Sequence, residues 1–149
     1  MGLDSYLRIL RHTNDARMME AIAEAVNTPI PTPNGFAGGV EVKIPLLYWR
    51  KNWAIHRWFV HHVQNDEDDC GTYEISSTEL VKLRDDLHTA LKYPATAEKL
   101  FGEDWLADHD WFVAEMEATR AALDREIARI QNTQLQQESY TYYEYHSSW

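Results

Sequence analysis

Apolar residues recur along this chain at every second position in some stretches and at every third or fourth in others, and the switches mark its elements. In Gly2–Leu10, Leu3, Leu7 and Ile9 fall on one side and Asp4, Tyr6 and Arg8 on the other, the alternation of a half-buried strand. Thr13-Asn14-Asp15 supplies capping side chains, and Met18, Ile22 and Ala25/Val26 then repeat at helical spacing up to Asn27. Thr28-Pro29-Ile30-Pro31-Thr32-Pro33-Asn34-Gly35 cannot continue that helix, and with Gly38-Gly39 it predicts a long loop. Val40–Leu47 reads as a second strand with Val42 and Ile44 on one side. A helix is predicted from about Trp49 to Val63, followed by the acidic turn Gln64–Asp69 and a short strand, Gly71–Ile75. Ser76 with Glu79 forms a capping box for a helix that buries Leu80, Leu83, Leu87 and Ala90/Leu91 and stops at Pro94. The longest helix is expected from Asp104 or Asp108 to about Gln136, with Trp105, Phe112, Val113, Met116, Leu123, Ile127 and Ile130 along its seam. His109 and Arg120 interrupt that seam, which argues against a clean coiled coil. The aromatic stretch Tyr140–Trp149 reads as a closing strand. The sum is a single α+β domain with a small, mainly antiparallel sheet and three or four helices.

Size and composition narrow the function classes. A chain of 149 residues suffices for one hydrophobic core, and no apolar run approaches the roughly 20 residues that span a bilayer. The opening Met1-Gly2-Leu3-Asp4 lacks the basic-then-apolar pattern of a secretion signal, so a cytoplasmic location is expected. A formal net charge of −10 argues against direct nucleic-acid binding, which depends on Lys and Arg neutralising phosphates. Cys70 is the single cysteine; an internal disulfide and a cysteine-based zinc site within one chain are excluded. No glycine-rich phosphate loop, nucleophile elbow or His-Glu-x-x-His motif occurs, and no cofactor is expected.

Tyr48–Val63 is the segment with the most chemistry, since it holds three of the six tryptophans and three of the seven histidines. At about 100° per residue, Trp49, Trp53, Ile55, Phe59, Val60 and Val63 share one broad arc, with Asn52 and His56 in its middle. Asn52 and His56 either form a satisfied core network joining helix to sheet or line the floor of a pocket. Trp58 falls on the opposite side, beside Lys51, Ala54, His61 and His62, and is expected to be exposed unless the longest helix, the tail or a partner covers it. Arg50, Arg57 and His61 form a basic stripe whose natural partners are the chain's many carboxylates. His56 and His61 are five residues apart and splayed by about 140°, so the histidines predict no metal site. Carboxylates around Cys70 disfavour a reactive thiolate. Arg50, Lys51, Asn52, His56, Arg57, Trp58, Asp69 and Cys70 are therefore candidates for ligand or partner binding, with no catalytic assignment.

Four segments carry a family resemblance: Met1-Gly2-Leu3-Asp4-x-Tyr6-Leu7, Tyr48-Trp49-Arg50-Lys51-x-x-x-Ile55-His56-x-Trp58-Phe59-Val60, Asp69-Cys70-Gly71-x-Tyr73 and Tyr145-x-Ser147-Ser148-Trp149. Together they resemble a family of small uncharacterised proteins of bacteriophages and prophages. The resemblance implies a phage setting and, by analogy with small acidic phage proteins, an accessory factor that binds a host protein, including one of a defence system. Three functions stay open on the sequence. The first is a non-enzymatic host-binding protein using the acidic surface and the Trp58 region. The second is a pocket protein, enzyme or ligand binder, built on Arg50, Lys51, Asn52, His56, Asp69 and Cys70. The third is a homo-oligomer held by the longest helix and the tail.

Overall fold

A computed structural model of the chain describes residues 2–30, 38–132 and 139–149. Four strands form one antiparallel sheet: β1 (Asp4–Thr13), β2 (Val40–Arg50), β3 (Thr72–Ile75) and β4 (Ser139–Ser148), in the order β2-β1-β4-β3. The strand that comes last in sequence is thus an interior one, paired with β1 and β3 at once. The helices among the described residues are α1 (Ala16–Ala25), α2 (Trp53–His62), α3 (Ser77–Lys92), α4 (Ala97–Phe101) and α5 (Asp110–Asn132), with a 3₁₀ turn at Pro94–Thr96. The α+β architecture expected from the alternating periodicities is the one observed. No helix among the described residues is long and apolar enough to cross a membrane.

The core lies between one face of the sheet and the helices α2 to α5. Leu7, Ile9, Trp49, Ile75, Tyr143 and Tyr145 from the strands meet Ile55, Phe59, Leu80, Leu83, Leu87, Phe101, Phe112, Met116, Leu123 and Ile127. The capping box at Ser76 and Glu79 is present, and Asp15 caps α1 by accepting from the Met18 backbone N–H. One irregularity makes the sheet work. Between Leu7/Leu47 and Arg8/Pro45 the β1–β2 register slips by one residue. Proline cannot donate to a ladder, and the extra residue puts Val42 and Ile44 before the slip on the same side of the sheet as Leu47 and Trp49 after it, although Ile44 stays exposed.

Two expected boundaries move. Trp49 belongs to β2, not to a helix, because Lys51 turns the chain through φ +56° and Asn52 caps α2 by accepting from the Ile55 backbone N–H at 3.0 Å. α5 begins at Asp110, and the part of its expected range beyond Asn132 falls on residues 133–136, outside the described residues, as do residues 31–37 of the proline loop.

At the end of the sheet away from α2, Tyr143 donates to Glu126 at 2.7 Å and Arg129 pairs with the same carboxylate. Burial pushes the Glu126 carboxyl up, but the hydrogen bonds from Arg129 and Tyr143 outweigh it and leave it below the ordinary carboxylate range.

Candidate functional site

The four segments that carry the family resemblance meet at one corner, where β2 passes into α2. The Lys51 backbone N–H donates to the Leu3 carbonyl at 2.6 Å, and the Tyr48 hydroxyl donates to Asp4 at 2.7 Å. Ser147 Oγ donates to the Asp69 carbonyl at 3.3 Å, and Trp149 Nε1 donates to Asp68 Oδ1 at 3.2 Å. Residues from both ends and the middle of the chain therefore assemble one surface.

At its base runs a buried polar chain. His56 is 2% exposed; its Nδ1 lies 2.7 Å from Tyr145 Oη and its Nε2 lies 2.8 Å from Asp68 Oδ1. Tyr145 Oη continues to Ser5 Oγ at 3.3 Å, and the Tyr145 ring stacks on Phe59 with centroids 3.8 Å apart. Burial pushes the Tyr145 phenol well above its ordinary value of 10, so it stays neutral at physiological pH. Both ring nitrogens of His56 are thus engaged by the chain's own side chains, and His56 acts as a bolt between helix, sheet and the acidic turn. Asn52 is engaged in the same way: besides capping α2, its Nδ2 donates to Glu115 Oε2 of α5 at 2.5 Å.

Above this base the corner is aromatic and open. Trp53 is 41% exposed and meets the His56 ring edge to face at 5.8 Å; Trp149 is 46% exposed. Trp111, 60% exposed, sits one helical turn before the Glu115 that holds Asn52. The carboxylates here have partners: Asp68 takes His56 and Trp149, Asp4 takes Tyr48, and Asp69 accepts from the Gly71 N–H and the Tyr73 hydroxyl. Their hydrogen bonds with Asp4 and Asp69 hold the Tyr48 and Tyr73 phenols above the ordinary range. Arg50 and Lys51, by contrast, are exposed and take part in no ion pair among the described residues. In a chain of net charge −10, Arg50 and Lys51 put two cationic side chains at this corner.

Of the residues singled out from the sequence, Arg50, Lys51, Asn52, His56, Asp69 and Cys70 come together here, with Cys70 exposed on the turn. Two do not. Trp58 is 1% exposed, so the expected exposed indole is a correction: Nε1 donates to Asp86 of α3 at 2.8 Å, and the ring packs edge to face on Phe59. α2 is covered on two sides, and α3, rather than the tail or α5, supplies the hydrogen-bond partner that makes burial of this indole possible. Trp53, placed on the buried arc by periodicity, is the indole left outside. Arg57 also points away; it pairs with Asp104 at 2.7 Å and Glu103 at 3.7 Å beyond Gly102. Ser5, Asp68 and Glu115 complete the site without any signal in the sequence, and Tyr145 and Trp149 stand out there within the closing segment of the resemblance. The period-two pattern of the tail offered a signal for Tyr145, since it shares a strand face with Tyr143 and Ser147.

Among the described residues no group of three or more His, Cys, Asp or Glu side chains is placed to hold a metal ion. A groove of about 270 Å³ opens elsewhere, between the start of α3 and the end of α5, lined by Ser77, Thr78, Val81, Ile127, Ile130 and Gln131. No family model, curated protein or solved structure matches this chain.

Proposed function

We propose that this chain is a non-enzymatic accessory protein of phage or prophage type, and that it binds a host protein through the corner formed by Trp53, Trp111 and Trp149 with Arg50 and Lys51. The observation that carries the proposal is the exposure of Trp53 against His56 and of Trp149 against Asp68, with exposed Trp111 one helical turn from the Glu115 that holds Asn52. Tryptophan and arginine are the side chains that most often anchor protein interfaces, and exposed indoles are costly to leave in water. The closed state of His56, with both nitrogens occupied, supports a scaffolding role for it in place of proton transfer. The phage setting and a host partner rest on the family resemblance; Trp58 has no part in the docking surface.

The test is capture of a stoichiometric protein from host lysate by the tagged chain, compared with a Trp53→Ala/Trp149→Ala variant of unchanged circular dichroism. Loss of two interface anchors should weaken the captured complex by at least about 30-fold, equivalent to roughly 2 kcal/mol. Equal capture by the folded double variant would overturn the proposed surface. A small metabolite that raises the melting temperature of wild type, but not of His56→Ala, would overturn the non-enzymatic reading.

A further inference from the structure

The sheet ends on β2, and no described strand pairs with its outer edge. β3, at the other end, is only Thr72–Ile75, and the tail strand β4 has both edges paired inside the chain, so it cannot accept a partner strand. An unpaired edge is an adhesive surface unless something blunts it, and Pro45 with its register slip blunts the middle of β2. The stretch Val40–Ile44 on the near side of the slip stays regular through five consecutive pairs with β1.

Its sequence is self-complementary. Glu41 and Lys43 lie on the sheet face opposite the main core, where Glu41 accepts from Tyr142 and Lys43 lies 3.7 Å from Glu144. Val40, Val42 and Ile44 lie on the sheet face that carries Ile9 of the core, opposite Thr13, Arg11 and Ile9. Placing a two-fold axis at Val42 in an antiparallel arrangement sets Glu41 opposite Lys43 of the second copy, Lys43 opposite Glu41, and Val40 opposite Ile44, while Val42 faces itself. Opposite charges then pair on one face and β-branched side chains on the other. Moving the axis to Glu41 or Lys43 would place like charges face to face. A one-residue slip would set charges against apolar side chains. We propose that two copies of this chain associate through the Val40–Ile44 edges into one continuous sheet across a two-fold axis at Val42. The interface is isologous, the form a two-fold dimer requires. It lies at the opposite end of β2 from Arg50 and the Trp53 corner, and the two proposals stand or fall separately.

Multi-angle light scattering and sedimentation equilibrium on the full chain, at about 0.15 M salt where repulsion between the acidic copies is screened beyond roughly 8 Å, test this. Wild type should be dimeric at high micromolar concentration. Glu41→Lys and Lys43→Glu should each weaken the dimer roughly tenfold or more by placing like charges opposite each other. The double exchange Glu41→Lys/Lys43→Glu should restore it, although every contact to Tyr142 and Glu144 has been altered. A wild-type monomer up to about 1 mM would overturn the proposal. So would a dimer indifferent to both single variants, or a folded double exchange that stays monomeric.

Discussion

Trp53 and Trp58 stand five residues apart on the same short helix and have opposite fates. Five residues turn the helix through about 140°, so the two indoles cannot share a face. Trp58 is enclosed between α2 and α3, and its N–H is satisfied by Asp86, itself paired with Lys82 at 2.8 Å. Trp53 has the His56 ring on one side and solvent on the other. Hydrophobicity is identical in the two cases. What separates them is whether the fold provides an acceptor and a second layer, and that depends on a helix whose first residue lies 19 positions after Trp58.

Substitutions sharpen the contrast in descending order. Trp58→Ala should lower unfolding free energy by about 3–5 kcal/mol, the range for large-to-small changes of buried aromatics, read from urea denaturation. His56→Ala, between the two on the same helix, takes one hydrogen-bond partner each from Tyr145, which keeps Ser5, and Asp68, which keeps Trp149, and should cost about 2–3 kcal/mol by the same measurement. Lys51→Gly relieves a left-handed residue (φ +56°) and should leave stability unchanged or raise it by up to about 1 kcal/mol. Trp53→Ala should change stability by no more than about 0.5 kcal/mol while weakening partner capture. A Trp53→Ala protein that unfolds like Trp58→Ala would erase the distinction between the two sites.

The pH dependence of stability has two limbs. Tyr143 and Tyr145 have folded values raised above 10 by burial first, so their contribution is complete below pH 10 and is lost as pH rises above it. Glu126 has a folded value below its ordinary 4.5, so its contribution is present above pH 4.5 and is lost as pH falls through the acid range. Urea midpoints measured against pH should show a plateau between these limits. Tyr145→Phe should flatten the alkaline limb and leave the acid one unchanged.

Much of the fold was legible in the sequence because alternation and helical spacing are local properties. The strand at the start, the capping box at Ser76 and the aromatic tail all follow from a few neighbouring residues. The polar pair Asn52 and His56 was legible too, and the structure selects the satisfied network over the pocket floor. The assignment of Trp49, Trp53 and Trp58 was not. Tyr48-Trp49-Arg50 joins the helical spacing of Trp53 by chance of sequence, while the actual break depends on a left-handed Lys51 that no local preference announces. The slip at Pro45 shifts the strand's inward positions from even to odd numbers, which conceals Trp49 as a strand residue. Asp68 carries no local signal of its role, because acidic turns usually face solvent. Its role appears only when Trp149 and His56 arrive from elsewhere in the chain.

The interior position of Ser139–Ser148 also governs when the molecule can become itself. Until those residues have left the ribosome, β1 lacks one of its two neighbours and β3 has none. The His56 ring likewise waits for its tyrosine. Helices α2 to α5 can collapse during synthesis, but they collapse onto an incomplete platform until β4 fills its place between β1 and β3. A nascent chain stalled before Tyr145 would be the species most exposed to proteases and to mispairing with its neighbours.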